Sequence, residues 1–280
     1  MNKNINIVVI ITFSLLTKVS GALIVENFND YGSSSVPLTL GTSGSGWAGA
    51  WNHTGTGPNY TQGGLTFSSS GYSNAGNDSD LNDGLASYGS GGANNFATRS
   101  FSTGLTGTIW LSAVAEWTNP TAQVKLMLGS SANNFIGFFE NSGFVGYDGT
   151  TNTTGSFSAS ITHLMLARIQ IDASGNNDSV EYWINPNLTG GEAGLGASDF
   201  SQNGSDVFGS SLDGVGLAFR RAGSTFDALR ISNEVTGFSD VTAVPEPSTY
   251  ILLVFGTVIV FIHVRRLKSN KQTRSLGDIG

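Results

Sequence analysis

Apolar residues along this chain come in short runs punctuated by Gly, Asn and Ser, and the runs favour strands over helices. The clearest are 23–28, 108–117, 124–128, 135–139, 144–147, 163–171, 180–184, 215–219 and 226–231. Residues 108–117 (TIWLSAVAEW) are rich in β-branched and aromatic side chains, which fit a pleated, half-buried surface. The residues a helix prefers are thin between these runs, because Lys and Glu give way to Gly, Ser, Thr and Asn. Strands recurring at intervals of roughly 8 to 15 residues predict an all-β fold, a two-sheet β-sandwich. No repeat stands out, and residues 41–64 are poor in strand signal and are expected to form long surface loops.

The two ends break this pattern. Lys3 precedes an apolar stretch from Ile5 to Leu16, and Ser20-Gly21-Ala22 supplies the small residues that a signal peptidase reads. Cleavage is expected after Ala22. At the other end Val244-Pro245-Glu246-Pro247-Ser248 leads into an apolar run, Tyr250 to Ile262, and then into Arg265-Arg266-Leu267-Lys268. The two prolines fix φ and remove two N–H donors, so the segment is expected to be extended. As a helix, residues 248–264 would reach about 25 Å, near the lower limit for a membrane span. The basic cluster beyond would stay in the cytoplasm. The expected organisation is a signal peptide (1–22), a β-sandwich ectodomain (23–235), a linker with the Pro-Glu-Pro motif (236–247), a transmembrane helix (248–264) and a basic cytoplasmic tail (265–280).

This tail resembles the PEP-CTERM sorting signal of Gram-negative bacteria that make extracellular polysaccharide. The resemblance covers Val244 to Lys268. It implies that Pro245, Glu246 and Pro247 are read by a membrane enzyme of the exosortase type. It also implies an inner-membrane intermediate, followed by delivery to the cell surface or the extracellular matrix. A second resemblance concerns the ectodomain. Val180-Glu181-Tyr182-Trp183-Ile184-Asn185-Pro186 looks like the strand and Asn-Pro turn of laminin-G-like, concanavalin-type jelly rolls, and Phe226 to Ser232 looks like their last strand. Within that last strand Asp227 and Arg230 stand three apart, which places them on opposite faces of a regular strand.

Charge narrows the partners. Residues 23–247 hold 19 acidic residues against the basic residues Arg99, Lys125, Arg168, Arg220, Arg221 and Arg230, a net of about −13 that the whole-chain value of −7 conceals. Such a domain repels nucleic acid and suits a hydrated matrix. The chain has no Cys, which excludes disulfides, a thiol nucleophile and Cys-ligated metal.

Candidate chemistry is sparse. A retaining glycosidase of this architecture needs alternate carboxylates on one strand face, and no Glu-x-Asp-x-Glu string occurs. Glu116, Glu140 and Glu181 stand singly in their strands, so a pair could form only across strands. His53, His163 and His263 lie far apart in sequence, and no Gly-x-Ser-x-Gly elbow is present. The chain is therefore expected not to be an enzyme. Asp78, Asp80 and Asp83, with Asn77 and Asn82, offer the oxygen-rich chemistry that Ca²⁺ prefers, although the spacing is not that of an EF-hand. Asp148 and the run Asn176-Asn177-Asp178 are weaker candidates. Trp47, Trp51 and Tyr60 fall in the Gly-rich early segment and are the candidate aromatic platform for a ligand, whereas Trp110, Trp117 and Trp183 read as core. The expectation is an exported structural or adhesive protein of the envelope or matrix, in contact with extracellular polysaccharide. The alternatives are a carbohydrate-binding, lectin-like module and, behind it, a glycoside hydrolase.

Overall fold

The computed structural model describes residues 23–26, 36–38, 44–53, 57–65, 84–88, 95–129, 133–174 and 177–242, with Phe28, Thr42, Phe67 and Tyr72. Among the described residues sixteen strands run in chain order: β1 (Leu23–Glu26), β2 (Val36–Pro37), β3 (Asn52–His53), β4 (Asn59–Gln62), β5 (Gly84–Ser87), β6 (Asn95–Leu105), β7 (Thr108–Trp117), β8 (Gln123–Leu128), β9 (Phe135–Phe139), β10 (Ser142–Tyr147), β11 (Thr150–Thr154), β12 (His163–Gln170), β13 (Asp178–Ile184), β14 (Phe200–Ser205), β15 (Leu212–Arg220) and β16 (Ser224–Ser232). A short helix, α1 (Gly237–Thr242), follows the last strand.

The strands form two antiparallel sheets. The nine-stranded sheet runs β14-β13-β12-β7-β16-β5-β4-β2, with β1 also on β16, and the seven-stranded sheet runs β11-β10-β9-β8-β15-β6-β3. The predicted sandwich is therefore the observed one. Its core is filled by alternate residues of both sheets: Ile109, Leu111, Ala113 and Ala115 of β7 face Val124, Leu126 and Leu128 of β8. The core is also tied by charge. Glu26 of the larger sheet and Arg99 of the smaller are ion-paired with their side chains 0% and 1% exposed. Phe28 N and Trp51 Nε1 donate to the same carboxylate, at 2.9 and 3.0 Å.

A second apolar layer lies outside the larger sheet. Trp110, Val114, Leu164, Leu166 and Trp183 pack there under Phe238 and Val241 of α1. Ser112 Oγ anchors that helix by donating to Val241 O at 2.5 Å.

Three expectations change. Residues 41–64 contain β3 and β4, short strands that extend each sheet, where only loops were expected. Trp110 and Trp183 belong to the outer layer, not to the space between the sheets. Asp227 and Arg230 share one face, because β16 shifts register between them and Ala228 takes φ 53°. Asp227 pairs with Val114 and Arg230 with Ser112, both outward on β7. One extra residue restores the parity that a spacing of three would break. The bulge also divides β16 between partners: Thr225 and Phe226 pair with β5, and Leu229 to Ser232 pair with β1.

Candidate functional site

On the outer face of the larger sheet, period two sets Trp110, Arg168 and Glu181 in one row across three strands. Arg168 lies directly opposite Trp110 on one side and Glu181 on the other. Directly opposed pairs are close enough for side chains to interact. Trp183 is the next outward residue of β13, and its ring lies 5.9 Å from that of Trp110 at 26°.

The wall above this row comes from the chain leaving β13. Asn185 turns it with φ 52°, a conformation Asn tolerates well. Its Oδ1 accepts from Leu164 N at 2.9 Å, and its Nδ2 lies 2.8 Å from His163 Nδ1. His163 Nε2 lies 3.0 Å from Ser158 O. His163 is thus a satisfied structural residue stacked on Trp117 at 4.9 Å. Past Pro186 the chain reaches a 3-10 turn, Glu192–Gly194, that carries Glu192 over the sheet.

The result is a groove of about 510 Å³ with a polar centre. Arg168 Nε donates to Glu181 Oε2 at 2.6 Å, and its terminal amino group meets the same oxygen. Arg168 NH1 reaches Glu192 Oε1 at 3.3 Å. The guanidinium stands 5.6 Å from the Trp110 ring centre, within cation–π range. Its side chain is 38% exposed, so solvent or a ligand reaches it. The floor is apolar: Trp110 and Trp183 line it, each with only a small part of its surface open, 4% and 5%. Trp183 Nε1 donates to Gly196 O at 3.4 Å, and Phe238 closes the far side of Trp110 at 5.1 Å. One guanidinium and two carboxylates give the groove a formal charge of −1. It offers both donors and acceptors beside an apolar floor, the composition of a small-ligand site.

The residues singled out from sequence are placed elsewhere. Trp51 and Tyr60 are 2% and 1% exposed in the inter-sheet core, so they form no ligand platform. Trp47 packs 5.9 Å from Trp51 and 5.5 Å from Phe101, with Nε1 donating to Val25 O at 3.0 Å. The platform reading is corrected accordingly: Trp47 and Trp51 lie against the buried ion pair, and Tyr60 lies in the core between the sheets. Asp78, Asp80 and Asp83, the Ca²⁺ candidates, lie outside the described residues, as do Pro245, Glu246, Pro247 and the expected membrane segment. Asp178 is fully buried and accepts from Asp172 N, Val207 N and Phe208 N at 2.8 to 2.9 Å, so its oxygens are occupied by amides. Among the described residues no helix is long and apolar enough to cross a membrane, and no group of three carboxylates or imidazoles is placed to hold a metal.

Arg168, Glu181 and Glu192 were not foreseen as a set. Arg168 and Glu181 do leave a trace, since each stands among apolar neighbours, in Leu166-Ala167-Arg168-Ile169 and Val180-Glu181-Tyr182-Trp183. Glu192 leaves none, because only the fold carries its loop back over the sheet.

No protein-family profile matches the chain, and no curated protein matches it in sequence. Solved structures resemble it at low identity. A GH131 β-glucanase catalytic domain from Podospora anserina is 10% identical, with 68% of this chain and 86% of that one covered at a TM-score of 0.41. The exoplasmic/lumenal domain of VIP36 in a metal-free form is 8% identical over 77% and 96% of the two chains, at 0.38. The carbohydrate binding module CBM66 from Bacillus subtilis is 8% identical over 52% and 83%, at 0.28. At these identities and TM-scores the likeness carries no argument about activity. The expectation that the chain is not an enzyme is corrected all the same: glycoside hydrolases stand among the similar structures, and the missing Glu-x-Asp-x-Glu string excludes only one arrangement of carboxylates.

Proposed function

We propose that this is an exported protein that recognises a neutral, hydroxyl-rich glycan in the groove over β7, β12 and β13. The observation that carries the reading is the centre of that groove, where Arg168 is held by Glu181 and Glu192 above the Trp110–Trp183 floor. Sugar hydroxyls both donate and accept. They match carboxylate acceptors and a guanidinium donor, and the C–H faces of the ring match indole and Leu195. The −1 charge favours a neutral over an acidic sugar. In this proposal the Pro-Glu-Pro tail delivers the domain, through an exosortase-type enzyme, to the cell surface or matrix as an adhesive component.

A second reading is glycan cleavage, favoured by one specific feature: Glu181 and Glu192 face a single groove, as an acid and its carboxylate partner must. Both readings meet in one experiment. Full-length protein is titrated calorimetrically with a panel of neutral oligosaccharides, and reducing ends are counted after prolonged incubation. Binding that weakens by about tenfold, roughly 1.4 kcal/mol, in Glu181→Gln and in Glu192→Gln is the expected result. New reducing ends that disappear in both variants would establish cleavage. No binding across the panel, or binding indifferent to both substitutions, would overturn the groove as the site.

A further inference from the structure

The other outward face of the sandwich has the opposite charge character. On the seven-stranded sheet, register places Phe144, Gly137, Lys125, Ala218 and Phe96 in one row across β10, β9, β8, β15 and β6. Lys125 Nζ stands 3.8 Å from the Phe135 ring centre and 4.9 Å from that of Phe144. Phe144 in turn lies 4.9 Å from Phe135 and 5.3 Å from Phe139. The Arg220 guanidinium sits 5.9 Å from the Phe139 ring. Arg220 is two residues beyond Ala218, the partner of Lys125, so the two residues are diagonal neighbours with Cα atoms about 7–8 Å apart.

Three features make this face unusual for this chain. Outward positions of β6, β8, β9, β10 and the Gly214–Arg220 stretch of β15 carry no Asp or Glu, in a domain with 19 acidic residues. Glu140, Asp148 and Asp213 stand only at its rim. Among the described residues Lys125, Arg220 and Arg221 form no ion pair, whereas Arg99 and Arg168 do. Finally, Lys125 lies against rings, and burial draws its pKa below the ordinary lysine range. Gly137, between Lys125 and Phe144, has no room for a side chain, since a Cβ there would fall 2.0 Å from Val124 O. Nothing therefore rises between the two residues, and the aromatic-cationic surface is continuous.

We propose that this face binds an acidic polysaccharide, a sugar chain bearing carboxylates. The rings of Phe96, Phe139 and Phe144 take the apolar faces of the sugars, and Lys125 and Arg220 take the carboxylates, while Phe135 is buried and backs Lys125 from below. The occupant is argued from charge and shape. A second copy of the chain meeting this face by two-fold symmetry would set cations against cations. Nucleic acid, with a charge every 1.7 Å or so of duplex axis, would be repelled by the acidic remainder of the domain. A polyuronate spreads its charges more thinly along a strip of sugar rings. The groove on the opposite sheet, at −1, would take the neutral part of a matrix and this face the acidic part.

The test uses full-length protein in detergent, with polygalacturonate as the probe and dextran and duplex DNA as comparators, at about 50 and 300 mM NaCl. Polygalacturonate should bind, weaken by about tenfold between the two salts, and lose a further fivefold or so in Lys125→Gln and in Arg220→Gln. Lys125→Arg should restore binding. Circular dichroism and urea midpoints confirm that the variants are folded. Absence of polygalacturonate binding overturns the proposal, as does binding unchanged in both Gln variants. DNA binding as tight as polygalacturonate overturns it too, because the face would then be reading charge alone.

Discussion

Two sites in this molecule are built from the same kinds of residue, an arginine, its glutamate partners (one at the first site, two at the second) and a pair of tryptophans, and they do opposite things. At the first, Arg99 lies between the sheets with Glu26, 4.7 Å from the Trp47 ring and 5.9 Å from that of Trp51. Its Nε donates to Gly49 O at 2.7 Å, and the carboxylate takes Phe28 N and Trp51 Nε1 as well. Every strong polar group there has a protein partner and water is excluded. At the second, Arg168 stands over Trp110 with Glu181 and Glu192, open to solvent. The residue types do not decide the role. Burial does: a sealed network has no capacity left for a ligand, whereas an open one has lone pairs and N–H groups to spare.

The largest effect expected from this contrast is at the sealed site. Glu26→Ala leaves a buried guanidinium without its counter-charge and should cost about 3–5 kcal/mol in urea unfolding. The double variant Glu26→Leu/Arg99→Met removes both charges but strands Trp51 Nε1, Phe28 N and Gly49 O. Each such group costs about 1–3 kcal/mol, so recovery should be partial. A loss below about 1 kcal/mol in Glu26→Ala would mean that water enters this site and that the contrast with Arg168 is false.

At the open site the same operation should scarcely touch the fold. Arg168→Ala is expected to change stability by less than about 1 kcal/mol, because a half-exposed pair gains little net energy. Two carboxylates would then face each other without their cation, yet both can be hydrated. A measured cost near that of Glu26→Ala would make Arg168 a structural tie and remove it from any ligand site.

The same contrast explains what the sequence disclosed. The sandwich was legible because most of its strands carry their inward residues as Val, Ile, Leu and Phe. β6, the longest strand, was not. Its inward positions include Asn95, Ala97 and Arg99, so the period-two signal was masked by a charge that only the finished fold buries. Trp47 and Trp51 read as a platform for the matching reason: a Gly-rich setting looks like loop, and their partners Glu26 and Arg99 lie 21 or more residues away. Trp183 read as core, and it is buried, but under α1 and the loop after Pro186. The Asp227–Arg230 bulge was equally hidden, since nothing local marks Ala228 for a positive φ. Long-range closure, not local propensity, creates both arginine sites.

The smallest effect expected is at a carboxylate in a surface turn. Asp172, in the turn after β12, accepts from Ser174 Oγ at 2.7 and 2.8 Å and from Ser174 N at 3.0 Å. The hydroxyl bond first, and the amide second, hold its pKa below the ordinary Asp value. A folded pKa depressed in this way gives stability that is present above the unfolded pKa, near 3.9, and is lost as pH falls through the folded one. Ser174→Ala should therefore move the Asp172 titration upward, as read by carboxyl NMR. The accompanying stability difference from wild type should be small, present at neutral pH, and should close in acid. Were it to persist in acid, the hydroxyl would be bonding a neutral carboxyl and the turn would owe nothing to charge. Asp172 would then differ in kind from Glu26 and Glu181, rather than standing at the exposed end of one series of carboxylates graded by water.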